Sequence, residues 1–479
     1  MGITIVGLGP GNGRLLTREA WELLSNSERV YFRTLRHPTV ADLPAHIERI
    51  SFDDIYDRAE RFELVYAEIV DKLLALGKDT DIVYAVPGHP FIAESTVTRL
   101  VQAAEAQQIP VRVVAGLSYV ELCLTAVKVD GIEGLQLFDA IELTEYLYPP
   151  VNPDFPLLLG QVYSRLLASD LKFVLSRVYP EEHQVELIHS AGNDDEVVEK
   201  VHLYEIDHSD KINHLTSLYV SPLPQISTLT GLAETVAILR SPEGCPWDQE
   251  QTAKSMRSGL LEEVCEVLSA IDEDDEDGIR EEMGDVLYHL VMQAEMAAEE
   301  EAFRLTDVIA GIDAKLKYRH PHVWGDVEVA DSDEVVVNWE QLKKLEKPQK
   351  PSSLFDNISL ALPALARSQK IQSKAKQVGF DWPNISGVYD KVHEEIDELK
   401  QADSHAEKAA ELGDLLFVVA NLAKWLDIDA ESALREANLK FIRRFGQVES
   451  LASGRGLQIA QMSLEQLDVL WNEVKALED

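Results

Sequence analysis

Short apolar runs dominate the first half of the chain, and long amphipathic stretches dominate the second. ITIVG, RVYF, DIVYAVPG, VRVVAG and PLLLG are rich in β-branched and aromatic residues and are spaced by stretches of helical periodicity. Strands alternating with helices predict an α/β domain. The pattern changes at SPLPQIS, residues 221–227, beyond which β-rich runs almost vanish. A second break, EKPQKPSS at 346–353, carries two prolines among polar neighbours and reads as a linker. The predicted fold class is multidomain: an N-terminal α/β domain at 1–222, then two all-α helical bundle modules at 226–346 and 354–479.

The two segments flanking the second break repeat each other. GCPWDQ, LLEEVCEVL, EEMGDVLYHLV, KLKYRH and NWEQLKKLE occur in order in the first. GFDWPN, VHEEIDELK, AELGDLLFVVA, KFIRRF and LWNEVKALE follow in the same order in the second. Glu263 to Glu395 is 132 residues, Asp285 to Asp414 is 129 and Trp339 to Trp471 is 132. A fixed order at a near-constant period marks an internal duplication, and each copy suits a small helical bundle.

Composition narrows the function. The 479 residues allow about three domains. A net charge of −40 disfavours sustained contact with bulk nucleic acid or an anionic membrane, both polyanions. The excess is spread along the chain, with 18 basic and 34 acidic residues in 1–225. Carboxylates that hold divalent cations stay open. Cys123, Cys245 and Cys265 make no disulfide framework. No apolar run approaches the ~20 residues of a membrane span, and the N-terminus lacks the basic and apolar regions of a signal peptide. A cytoplasmic protein without membrane contact is expected.

The candidate chemistry lies in paired acids. Copy one has Glu263/Glu266 and then Glu282/Asp285; copy two has Glu395/Glu398 and then Glu411/Asp414. Acids three apart on a helix point one way, so two facing helices can aim four carboxylates at one spot. One E-x-x-E alone is commonly a solvated face. Asp285 and Asp414, however, open the apolar runs DVLYHLVMQA and DLLFVVANLA, where an unpartnered charge is costly. A hard divalent cation relieves the mutual repulsion, and all-oxygen ligation favours Mg²⁺, with Mn²⁺ the second choice. Gly284 and Gly413 precede these aspartates, and close approach of a neighbouring helix is the expected reason for a helical glycine there.

Ferritin-like di-iron bundles would need Glu-x-x-His on the helices. Such pairs occur only at Glu186/His189, Glu199/His202 and Glu205/His208, where they read as polar positions on exposed strands. Cations for phosphate recur too: Lys315/Arg319 and Lys440/Arg444 each lie four apart on one helix face. Trp339 and Trp471, followed by Lys343 and Lys475, either cover a base or close the bundle, with core packing the simpler reading.

EExxE with a later ExxGD, CPWDQEQT and KLKYRHPHV together resemble the MazG family of all-α nucleoside triphosphate pyrophosphohydrolases, over about 226–479 as two tandem copies. The resemblance implies hydrolysis of a nucleoside triphosphate to the monophosphate and pyrophosphate, and a homodimer or higher homo-oligomer. It places Mg²⁺ on Glu263, Glu266, Glu282 and Asp285 and on Glu395, Glu398, Glu411 and Asp414. Glu263 and Glu395 are also expected to be catalytic, with Lys315/Arg319 and Lys440/Arg444 as clamps. Copy two departs in having GFDWPN for CPWDQ and FIRRFGQ for KYRHPHV, so copy one is expected to be the stronger hydrolase.

Three loops at the C-terminal ends of predicted strands fit a ligand crevice. Gly7, Gly9, Pro10 and Gly11 form the first, VPGHPFIAEST at 86–96 the second and VVAGLS at 113–118 the third. A dinucleotide fingerprint would need glycine where Asn12 stands. VGLGPGNGRLLT, VPGHP and VVAGLS instead resemble the tetrapyrrole (corrin/porphyrin) methylase family, over about 1–222. This implies two α/β lobes with S-adenosylmethionine between them. The implied contacts are Gly7, Gly9, Pro10, Gly11, Gly88, His89, Pro90, Ser118, Tyr119 and Gln161. His89 stands where the family commonly has Asp, which bears on methyl transfer and on any small-molecule methyl acceptor. The alternative function makes that transfer the main activity and the helical modules a dimerisation or nucleotide-sensing part.

Overall fold

The computed structural model describes residues 1–58, 62–346, 353–356 and 358–478. Residues 347–352 of the expected linker lie outside the described residues. The chain divides into two compact units, residues 1–251 and 252–479.

The first unit has two lobes. One is built from β1 (Ile3–Gly7), α1 (Arg18–Ser25), β2 (Arg29–Phe32), β3 (Glu48–Ser51), α2 (Asp53–Arg58), α3 (Phe62–Asp79), β4 (Ile82–Val86), α4 (Ser95–Ala106) and β5 (Val111–Val114). Its strands pair in parallel in the order β3-β2-β4-β1-β5. Alternate residues of the central strands bury opposite faces, as the pleat requires. Ile3, Ile5 and Tyr84 pack with Ile69, Leu73 and Leu100 of α3 and α4. Val6 and Phe32 pack with Ala20 and Leu24 of α1. Because β4, β1 and β5 are parallel neighbours, all three glycine-bearing loops leave the same edge of the sheet.

The other lobe contains α5 (Tyr119–Val127), β6 (Gln136–Asp139), α6 (Ala140–Thr144), β7 (Leu157–Gly160), α7 (Arg165–Leu175), β8 (Gln184–His189), β9 (Val197–His202) and β10 (Thr216–Val220). Its sheet runs β6-β7-β10-β8-β9, with β6–β7 parallel and the other pairs antiparallel. Two short helices, α8 (Leu229–Arg240) and α9 (Pro246–Glu250), complete the unit. Asp154 accepts hydrogen bonds from Ser227 N (2.8 Å) and Thr228 Oγ1 (2.5 Å) just before α8.

The second unit is helical in every regular element among the described residues. It comprises α10 (Arg257–Asp272), α11 (Glu276–Glu299), α12 (Leu305–Arg319), α13 (Pro321–Trp324), α14 (Ser332–Leu345), α15 (Ala364–Gln377), α16 (Ile385–Gln401), α17 (His405–Trp425), α18 (Ala430–Gly454) and α19 (Leu464–Glu478). The duplication shows as two helical hairpins, α10 against α11 and α16 against α17. Each second helix begins on a side-chain cap, Asp275 accepting from Gly278 N and Ser404 from Glu407 N. Apolar side chains at helical spacing stay exposed on α11 (Met283, Leu287, Leu290) and α12 (Val308, Ile312, Leu316). No described helix is long and apolar enough to cross a membrane.

Candidate functional site

The helical hairpins bring the paired acids together. In copy one, carboxylate oxygens of Glu263 and Glu266 from α10 and Glu282 from α11 lie within 4.8 Å of one another. Asp285 is not part of that close triad, yet its charge acts on Glu263. Desolvation, then Glu266, Asp285 and Glu282, push the Glu263 carboxyl above its ordinary value. Desolvation followed by Glu266 does the same for Glu282. In copy two the close triad is Glu395, Glu411 and Asp414. Desolvation, followed by the charges of Glu398, Glu395 and Asp414, raises the Glu411 carboxyl. Each triad therefore contains three of the four expected ligands, with the fourth in electrostatic range.

These are charges held against their preference. Glu395 is only 4% exposed, and among the described residues its Oε2 has no hydrogen-bond partner. A buried carboxylate oxygen without a donor, beside two further carboxylates, is a donor set suited to a divalent cation.

The glycines before the aspartates have a different setting from the one expected. A Cβ built on Gly284 or Gly413 meets nothing within 4 Å among the described residues. Among the described residues no helix approaches closely there, so their packing does not account for either glycine. Two side chains touching the clusters escaped the sequence reading. His289, one turn after Asp285, is 7% exposed with Nε2 3.9 Å from Glu263 Oε1. Lys391 places its Nζ 2.7 Å from Glu395 Oε1. Neither belongs to the repeating acidic motif; only helix packing reveals the His289 contact, whereas Lys391 and Glu395 lie four apart on α16, a spacing the sequence itself carries.

At the end of α12, Arg319 donates to both oxygens of Glu346, at 2.8 and 2.6 Å. Its guanidinium also lies 5.1 Å from the Trp339 ring centroid, and Lys343 Nζ lies 4.3 Å from the same ring. Trp339 is thus a platform for cations rather than core. Lys315 is near enough to help lower the Glu346 carboxyl, after the larger effect of Arg319. In copy two, Lys440 and Arg444 lie on α18, and Trp471 packs with Val448, Leu470 and Val474 in a small core, as the simpler reading expected.

In the first unit, Gly9 and Gly88 exchange backbone hydrogen bonds, Gly9 N to Gly88 O at 3.3 Å and Gly88 N to Gly9 O at 2.8 Å. A Cβ on Gly7 would lie 2.5 Å from Gly88 O and 2.7 Å from Gly116 N, so the three loops meet through bare backbone. Gly116 belongs with the expected glycines, although it was not singled out. Gly88 itself has φ +64°, and a Cβ there meets nothing within 4 Å among the described residues. His89 Nδ1 accepts from Phe91 N, and Pro90 is buried. Ser118 caps α5 in a capping box with Glu121. Tyr119 follows, its hydroxyl where a Cβ on Gly160 would fall, and desolvation raises that phenol to about 12. Gln161, at φ +64°, donates to Asp139 at 2.5 Å. A cleft of about 660 Å³ opens beside this region, lined by Gly11, Asn12, Arg14, Trp21, Asp42, Asn193 and Asp194. Of the expected contacts only Gly11 lines it.

The Glu-x-x-His pairs need correction at His189, which is buried rather than exposed, and at Glu205/His208, which lie in a short 3-10 helix (Leu203–His208) rather than a strand. His189 Nδ1 is 3.0 Å from Thr216 Oγ1 and its Nε2 3.2 Å from Glu199.

Comparison with known proteins agrees with both halves. The model of the tetrapyrrole (corrin/porphyrin) methylases matches residues 2–207. The model of the MazG nucleotide pyrophosphohydrolase domain matches 251–324 and again 385–448. YabN of Bacillus subtilis (strain 168) is 40% identical over 99% of this chain and 99% of its own length. The nucleoside triphosphate pyrophosphohydrolase/pyrophosphatase MazG of Thermotoga maritima is 45% identical over 50% of this chain and 91% of its own. The nucleoside triphosphate pyrophosphohydrolase of Escherichia coli (strain K12) is 47% identical over 50% of this chain and 94% of its own. Two parallel lines, the sheets with their glycine loops and the doubled acidic hairpins, thus lead to one assignment: this chain belongs to the YabN family, in which a tetrapyrrole methylase domain precedes tandem MazG domains.

Proposed function

We propose that the chain hydrolyses a nucleoside triphosphate to the monophosphate and pyrophosphate with Mg²⁺ or Mn²⁺, and that its first unit binds S-adenosylmethionine. The observation carrying the hydrolase reading is the pair of carboxylate triads, each within 4.8 Å and each containing a raised carboxyl. Glu263, Glu266, Glu282 and Asp285 would hold the cation in copy one, and Glu395, Glu398, Glu411 and Asp414 in copy two. Bound there, a divalent cation supplies charge neutralisation and polarises phosphate oxygen.

The chain's own groups do the rest. Glu263, or Glu395 in copy two, accepts a proton from the attacking water. The new bond forms between that oxygen and the α-phosphorus, and the bond from the α-phosphorus to the bridging oxygen breaks. Pyrophosphate leaves with the bonding pair, held by Lys315 and Arg319 or by Lys440 and Arg444. The exposed apolar faces of α11 and α12 support a homo-oligomer. The proposed modules are 1–222, 226–346 and 354–479.

The glycine cradle supports cofactor binding by Gly7, Gly9, Pro10, Gly11, Gly88, His89, Pro90, Ser118, Tyr119 and Gln161, because open space at Gly88 admits a ligand to bare backbone. Product analysis of a panel of nucleoside triphosphates tests the hydrolase reading. Pyrophosphate and the monophosphate are expected with Mg²⁺, and no turnover in excess chelator. Diphosphate with orthophosphate, or full turnover in chelator, would refute it.

A further inference from the structure

The two carboxylate clusters differ in one exchange of residues. Lys391 lies one turn before Glu395, and the corresponding position in copy one, 132 residues earlier, is Gly259. His289 lies one turn after Asp285, and its counterpart 129 residues later is Val418. The two positions face each other across the hairpin. A Cβ on Gly259 would fall 2.8 Å from His289 Cε1, so the imidazole fills the room a side chain would take. Copy one therefore sets a buried histidine against Glu263. Copy two has the smaller apolar Val418 at the histidine's position on α17 and an ammonium, Lys391 Nζ, 2.7 Å from Glu395.

The electrostatic consequence follows from charge alone. Four carboxylates at one spot require positive charge. In copy two a lysine supplies one unit of it permanently, and its field reaches Glu411 as well. In copy one the position equivalent to Lys391 is Gly259, which brings no charge to the cluster.

We propose that Lys391 is a resident counter-ion of the second cluster, so that copy two binds divalent cations more weakly than copy one. The inference rests on the metal reading above. A divalent ion entering copy two must share Glu395 with the ammonium or displace it. One entering copy one meets no ammonium at the equivalent position, which is Gly259. A fixed unit charge at this range is expected to change divalent affinity by about tenfold or more.

Calorimetric titration of the full chain with Mn²⁺, in the absence of nucleotide, tests this. The wild type should show a tight and a weak class of sites. Asp285→Asn should remove the tight class and leave the weak one. Lys391→Met should tighten the weak class by about tenfold, and Lys391→Gln, which keeps a donor toward Glu395 without the charge, should do likewise. Gly259→Lys combined with His289→Val transplants the arrangement into copy one and should weaken the tight class, whether or not the Lys391 variants fold. An unchanged weak class in folded Lys391→Met and Lys391→Gln, or two equal classes in the wild type, overturns the proposal while leaving the metal reading intact. Absence of Mn²⁺ binding in the wild type overturns the metal reading itself.

Discussion

At Asp285 and Asp414 a nearly isosteric change separates charge from shape. Asp285→Asn removes one anionic group acting on Glu263 and leaves the helix intact. Turnover should fall by roughly a hundredfold or more, since a lost ligand weakens metal-assisted phosphoryl chemistry directly. Asp414→Asn should cost less, because copy one carries the more complete motif set. Steady-state rates of the two variants, with circular dichroism as the folding control, decide the order. Full activity in Asp285→Asn with loss in Asp414→Asn would reverse the roles of the copies. The acids were legible because a spacing of three on a helix fixes their common direction. His289 was not, since its contact depends on which helix faces it across the hairpin, whereas Lys391 sits four residues before Glu395 on one helix and its spacing was a signal passed over.

Strands and helices were legible as far as their own periodicity reaches. ITIVG, RVYF, IVYAV, VRVV and LLLG all lie in strands, because continuous β-branched runs suit a sheet covered on both faces. His189 was misread because its burial comes from β10, a strand far along the chain that brings Thr216 beside it. That contact gives the element a measurable pH response. Lys211 above all, then Ser209 and His189, hold the Glu199 carboxyl down at about 2. A depressed carboxyl contributes stability above its unfolded value and loses it as pH falls through the folded one. Amide protection factors in β8 and β9, corrected for the intrinsic exchange rate at each pH, should therefore stay high at neutral pH and fall as pH drops from about 4.5 toward 2. Glu199→Gln should flatten that dependence.

On the scale of the whole molecule, the duplication and the change from short β-rich runs to long amphipathic stretches made the organisation readable. The pairing of loops was not, because Gly116 earns its place only where three strand ends converge on Gly7. The two proposed sites fall in separate compact units, which predicts independence. Gly88→Val forces a β-branched residue to φ +64° and projects a side chain into open space. S-adenosylmethionine binding to the full chain, followed by calorimetry, should weaken at least about tenfold because the side chain takes the cofactor's space, while the strained φ lowers fold stability by about 1–2 kcal/mol. Nucleotide hydrolysis should be unchanged. Equal loss of both activities would show that the units communicate.

The grip of Glu346 on Arg319 has a consequence for turnover. A carboxylate holding the guanidinium at two points competes with whatever phosphate arrives there. A triphosphate carries enough charge to win that competition, whereas the pyrophosphate formed from it is no longer tethered to a nucleoside and loses the advantage of its anchoring. On the proposed clamp role of Arg319, Glu346 would recapture the arginine after hydrolysis and speed departure, like a built-in release spring. Glu346→Gln should retain pyrophosphate longer, visible as stronger product inhibition and a slower steady state after an undiminished first turnover.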